Sequence, residues 1–327
     1  MRRVAAIDCG TNSIRLLIAD GSPAGLRDVH RQMRVVRLGE GVDQTGRLAP
    51  AAIERTRLAL VDYAGIIRSS GATQVRMVAT SASRDADNAD EFRKVVSQVL
   101  GVEPEVITGL AEAQLSFLGA VAGLPGVADP LLVADIGGGS TELVLGTVSA
   151  TSPAGSSLVP ATSLTQPVKP QVIAAHSMDV GCVRMTERRL HDDPPTEDQI
   201  QAALADLRLA LQAATADVPI GQAAAFVGVA GTVTTIAALA LELPGYDPEA
   251  IHGSVIDYLQ VSEVTDRLLK MSRAERAALP VMHPGRVDVI GGGALVLRTV
   301  MEAVGAREVI ASEHDILDGI ALSLLDG

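Results

Sequence analysis

The sequence predicts an α/β protein in which one unit is written twice, with a cleft between the copies. Three observations predict it. An apolar run, Val4 to Ile7, ends at Asp8, turns through Cys9-Gly10-Thr11-Asn12-Ser13, and resumes as a second run, Ile14 to Ala19. The same pattern recurs: Leu131 to Ala134, then Asp135, then the turn Ile136-Gly137-Gly138-Gly139-Ser140-Thr141, then Leu143 to Val148. Each hairpin is followed by a third strand and by alternating helices and strands, the order of a duplicated α/β fold. A chain of 327 residues suits two domains of roughly 150 residues each.

In the first copy the third strand is expected near Met33 to Leu38. A helix follows Pro50, which suits a first helical turn, and stops before Gly71. Val75 to Ala79 reads as a strand, Glu91 to Leu100 as an amphipathic helix, Glu105 to Ile107 as a short strand and Leu110 to Val121 as a helix. In the second copy a third strand is expected over Val172 to Val180 and a helix from about Gly181. Thr196 and Gln199 form a capping-box pattern that opens the next helix. Ala224 to Val229 reads as a strand leading to Gly231 and a helix. Val287 to Ile290 reads as a strand leading to Gly291-Gly292-Gly293 and another helix. The expected domains are 1–122, joined by the C-terminal helix 312–327, and 123–311. Residues Ser149 to Pro170 are rich in Ser, Thr, Pro, Gly and Ala and nearly free of charge. They read as an extended hairpin loop, with a lid over the cleft as the functional alternative.

Composition removes several classes of function. The net charge of −12 argues against general nucleic-acid binding, which needs a basic face. No run of 18 apolar residues suggests a membrane span, and the N-terminus lacks the pattern of a signal peptide, so a cytoplasmic protein is expected. The two cysteines, Cys9 and Cys182, are too few for a disulfide framework and lack metal-ligand spacing. The six histidines show no i, i+4 pair, which disfavours zinc.

The chemistry sits in the turns. Turns of Gly, Ser and Thr let backbone N–H groups approach a phosphate without side-chain obstruction. Gly10, Thr11, Asn12 and Ser13 form one such turn, and Gly137, Gly138, Gly139, Ser140 and Thr141 the other. Each follows a strand-end aspartate, Asp8 or Asp135, able to hold a divalent cation. Glu142 is a further candidate ligand, or a charge at a strand start. Arg84 follows a strand at the end where open α/β sheets place ligands, and its guanidinium could grip phosphate with paired hydrogen bonds. Arg15, just beyond the first turn, could do the same, or strand alternation could aim it at solvent.

These residues carry a resemblance. Asp8-x-Gly-Thr-Asn-Ser and Asp135-Ile-Gly-Gly-Gly-Ser-Thr-Glu-Leu closely resemble the exopolyphosphatase and guanosine pentaphosphate phosphohydrolase family. So do Thr80-Ser81-Ala82-Ser83-Arg84-Asp85-Ala86, Ile107-Thr108-Gly109 with Glu112-Ala113, Gly181-Cys182-Val183-Arg184 with Thr186-Glu187, Val229-Ala230-Gly231-Thr232, and Asp288-Val289-Ile290 through Leu295. The resemblance spans nearly the whole chain. It implies two ribonuclease H-like (actin-like) domains in the short, two-domain form, Mg²⁺ or another divalent cation, and a catalytic carboxylate. The family pattern there usually reads Gly-x-Glu-Glu-Ala. Here it reads Gly109-Leu110-Ala111-Glu112-Ala113, so the role of base falls to Glu112, which would otherwise be a solvated first-turn glutamate.

The expected function is removal of the terminal phosphate from inorganic polyphosphate, with guanosine pentaphosphate (pppGpp) as the alternative substrate. Phe92, Phe117, Phe226 and Tyr63 fall at core positions, which leaves few rings on which a purine could stack. That favours polyphosphate. A sugar or carboxylate kinase of the same superfamily and a non-catalytic alarmone or nucleotide sensor are the other readings. A homodimer is left open; no nucleic-acid or membrane partner is expected.

Overall fold

The computed structural model describes residues 2–22, 25–124, 126–148 and 170–325. Their strands form two sheets. The first runs β3-β2-β1-β4-β5, with β1 Arg2–Cys9, β2 Ser13–Ser22, β3 Gly25–Val35, β4 Gln74–Ala79 and β5 Glu105–Val106. The second runs β10-β11-β9-β6-β7-β8, with β6 Leu131–Ile136, β7 Thr141–Thr147, β8 Gln171–Met178, β9 Ala225–Val229, β10 Val255–Asp257 and β11 Glu308–Ala311. Order 3-2-1-4-5 in the first sheet is matched by 8-7-6-9-11 in the second. The senses match too. The first three strands of each copy are antiparallel, and the next two lie parallel to the first strand.

The duplication extends to register. Asp8 lies opposite Arg15 and Asp135 opposite Glu142. The register slips after Ile18 in one copy and after Leu145 in the other, both ten residues past the aspartate. The two-copy α/β architecture expected from the sequence is therefore present in detail.

Local signals explain most elements. Pro50 opens the Pro50–Ser70 helix and Gly71 closes it at φ 72°. Thr196 and Gln199 complete the capping box of the Glu197–Asp217 helix. Two expectations need correction. The third strand runs Gly25–Val35, not Met33 to Leu38. It is an edge strand with exposed Arg27, Asp28 and Val29, so charge hides it from an apolar count. Val36 and Arg37, beyond its end, instead donate their N–H groups to the Asn12 carbonyl at 3.1 and 2.8 Å. Residues 287–289 form a turn rather than a strand, and the Ile290–Val304 helix begins directly after them. A four-residue apolar run cannot distinguish buried strand from buried helix. The Ser149 to Pro170 loop lies, but for Pro170, outside the described residues.

Each sheet is covered on both faces. Helices Pro50–Ser70 and Ala89–Leu100 bury one face of the first sheet around Leu60, Tyr63 and Phe92. The C-terminal helix Ile316–Ser323 covers the other, against Val4, Leu17 and Val78. The Gly109–Ala122 helix packs Phe117 and Ala120 on Val133, Val144 and Val227 of the second sheet. These two helices lie side by side between the sheets. Their backbones touch at Gly119 and Gly319, where any side chain would overlap the Asp315 or Leu115 carbonyl. The strand ends bearing Asp8 and Asp135 meet beside this contact.

Candidate active site

The two hairpin turns close in the same way. Gly10 N–H donates to the Ser13 carbonyl and Gly137 N–H to the Ser140 carbonyl, each at 3.0 Å. They also touch. A Cβ on Gly138 would stand 2.9 Å from Thr11 Cβ, and one on Gly139 2.6 Å from the hydroxyls of Thr11 and Ser81. Glycine is needed there for the turns to meet.

A cavity of about 110 Å³ lies at this junction. Of the residues expected at the site, Asp8, Gly10, Thr11, Asn12, Ser13, Arg15, Glu112, Asp135, Gly137, Gly138 and Ser140 line it. Four stand back from it. Gly139 packs on Thr11 and Ser81. The Thr141 hydroxyl is spent on the Val180 carbonyl at 2.7 Å. Glu142 is buried and accepts from Ser177 Oγ at 2.7 Å. Arg84 donates to Glu112 and to the Ile107 carbonyl, each at 3.0 Å.

The two arginines expected to grip phosphate hold carboxylates instead. Arg15 donates to Asp8 Oδ2 at 3.0 and 2.7 Å and also pairs with Asp315. Sequence reasoning missed Asp315, although it caps the C-terminal helix through a box with Asp318 that was readable. It also missed Ser116, which lies four residues after Glu112 and donates to Asp135 Oδ2 at 2.6 Å. Arg286 was missed as well. It lines this cavity, donates to Thr235 Oγ1 at 2.7 Å, and makes no ion pair among the described residues.

Carboxylates outnumber cations here. Burial pushes Glu112 up to about 7, with Asp135 and Asp8 adding to the push and Arg84 opposing it. Burial and the charge of Asp315 push Asp135 to about 7, against the Ser116 hydroxyl. Glu142 is raised well above its ordinary range by burial, Glu112 and Asp135. Asp8 is raised by burial against Arg15, and its Oδ1 is buried with no hydrogen-bond partner among the described residues.

A second cavity of about 470 Å³ opens beside the first and shares Arg15, Gly231 and Arg286 with it. Met33, Pro280, Val281 and Met282 give it apolar wall. The Arg286 guanidinium lies 6.0 Å from the centre of the Tyr246 ring.

The model of the Ppx/GppA phosphatase family matches residues 17–327 of this chain. The chain belongs to that family. Exopolyphosphatase 2 of Mycobacterium tuberculosis is 50% identical over 337 residues, covering 99% of each protein. The crystal structure of an exopolyphosphatase-like protein superposes with a TM-score of 0.90 at 44% identity, covering 99% of this chain and 97% of that one. The Ppx/GppA member from Aquifex aeolicus superposes at 0.78 with 30% identity, over 99% and 97%. The chain is thus a Ppx/GppA phosphatase in sequence and in fold. No helix of the described residues is long and apolar enough to cross a membrane.

Proposed function

We propose that this Ppx/GppA protein is an exopolyphosphatase that releases the terminal phosphate of inorganic polyphosphate by in-line attack of water. The observation that carries the reading is the place of Glu112: buried, held by Arg84, and lining one cavity with Asp8, Asp135 and both turns. Ala111, where the family pattern has its first glutamate, packs instead toward the C-terminal helix. Glu112 is therefore the helix carboxylate facing the cavity.

In the proposed step Glu112 takes a proton from water as its oxygen bonds to the terminal phosphorus. The bridging P–O bond breaks, and the shortened chain leaves with the bond's electrons. Backbone amides of residues 11–13 and 138–140, with the hydroxyls of Thr11 and Ser13, orient the terminal phosphate. Arg286, which makes no ion pair among the described residues, takes phosphates further along the chain. Arg84 holds Glu112 in line.

The donors fit a divalent cation, taken as Mg²⁺. Asp8 Oδ1 lacks a partner among the described residues, and the buried carboxylates are all oxygen donors. Among the described residues no three His, Cys, Asp or Glu side chains converge at ligating distance. Asp8 and Asp135 would therefore share such an ion with water and substrate oxygens, as suits Mg²⁺, with Glu142 behind them. When bound, it supplies positive charge against the phosphate oxygens.

The second cavity favours one further reading, hydrolysis of pppGpp, because an aromatic ring, Tyr246, lines it beside Arg286 and the phosphate site. Phosphate release should be measured on long-chain polyphosphate, pppGpp and ATP, and on ATP with sugar acceptors. Release from polyphosphate supports the exopolyphosphatase. Transfer to a sugar would make it a kinase, and no turnover on any substrate would make it a sensor.

A further inference from the structure

The Gly109–Ala122 helix carries more of the site than Glu112. Ser116 lies one turn further along, so both side chains project from the same face. A hydroxyl inside a helix commonly returns to the carbonyl four residues back. Thr56, Thr235, Thr265 and Thr299 do so here, at 2.7 to 2.8 Å. Ser116, fully buried, sends its only hydroxyl proton to Asp135 on β6 of the sheet the helix packs on instead. That bond engages Oδ2 and leaves Oδ1 unclaimed by it.

The helix is a firm base for this contact. Thr108 caps its start, accepting from Ala111 N–H, and Gly119 seats it against the Asp315 backbone. The hydroxyl thus fixes the carboxylate at the end of β6 relative to the carboxylate in the helix's first turn. We infer that Ser116 is a positioning residue for the reaction, orienting Asp135 toward Glu112 and setting the affinity of the cavity for a divalent cation. The inference rests on the reading of Asp135 as a cation-binding carboxylate.

The test is Mn²⁺ binding to substrate-free protein, by calorimetry or by the EPR signal of free Mn²⁺, with polyphosphate kinetics beside it. Ser116→Ala should bind Mn²⁺ roughly 10-fold more weakly, the usual loss when a partner of a ligating group is removed. Its kcat should fall by a similar factor while KM for polyphosphate stays within about 2-fold. Ser116→Thr keeps the hydroxyl and should recover most of the Mn²⁺ affinity. Wild-type Mn²⁺ binding by Ser116→Ala overturns the inference, and so does a Thr variant as weak as the Ala variant. Should the Ala variant not fold, Ser116→Cys, close in shape but a poor donor, decides in its place: weakened Mn²⁺ binding supports the inference, and wild-type binding overturns it. Asp135→Asn separates the two levels. If it loses Mn²⁺ binding while Ser116→Ala keeps it, only the role of Ser116 falls. If Asp135→Asn itself binds as wild type, the reading of Asp135 falls and takes this inference with it.

Discussion

Arg84 reaches from the segment after β4 to Glu112 in the first turn of the Gly109–Ala122 helix, Nη1 to Oε2 at 3.0 Å. The pair sets two opposing forces on one carboxyl. Burial raises Glu112 to about 7, and the guanidinium pulls it down. A base must be ionised to accept a proton, so kcat/KM should fall as pH drops through about 7. Arg84→Met removes the opposing force. Its acidic limb should move to higher pH, measured at fixed low cation. A limb unmoved by the substitution would show that Glu112 does not set it.

The same cluster makes a stability prediction. Glu112 and Asp135 hold protons more tightly folded than unfolded. Between the ordinary carboxylate range and about 7 the folded state therefore carries more protons, and stability falls as pH rises. A divalent cation offsets the charge that appears. The rise in Tm caused by Mg²⁺ should thus be larger at pH 8 than at pH 5. An equal rise at both, by thermal scanning, would remove the cation from this cluster.

The cleft is clasped from outside as well. Arg184 and Arg188, on the Cys182–Arg189 helix, donate to Asp43 at 3.0 and 2.6 Å, and Arg37 pairs with Asp288 at 2.7 Å. Such pairs are partly exposed and add little to overall stability. Asp43→Asn should leave Tm nearly unchanged and raise amide exchange over 39–46 and 181–188 by roughly threefold or more, through local opening. Unchanged exchange would mean that the clasp does not hold the two sides of the cleft together.

The site was legible where chemistry and chain order coincide. Asp8, Asp135 and both turns stand in matched sequence, and the cavity lies between them. Arg15 and Arg84 could not be placed so. Their partners, Asp315 and Glu112, lie 300 and 28 residues away, and only the packed fold shows that each guanidinium is already occupied. Ser116 escaped because a lone serine in an apolar helix carries no pattern. Phe92, Phe117, Phe226 and Tyr63 are buried as their positions implied. Tyr246, in a Gly- and Pro-rich stretch without periodicity, gave no sign that it would face a cavity.

Tyr246 in turn separates the two substrates. Base stacking on an aromatic ring is worth about 1–3 kcal/mol. If pppGpp is hydrolysed, Tyr246→Ala should lower its kcat/KM by roughly 10-fold, while polyphosphate, which has no ring, changes by less than about 2-fold. Equal losses on both would assign Tyr246 to packing around Arg286.

The central claim is that Glu112 activates water against the end of a polyphosphate chain. The direct measurement is single-turnover phosphate release from long-chain polyphosphate with Mg²⁺, comparing the wild type with Glu112→Gln. The wild type should release phosphate. The variant, which keeps shape and loses the base, should be slower by ~100-fold or more with polyphosphate binding largely intact. A variant that releases phosphate at the wild-type rate would contradict the claim.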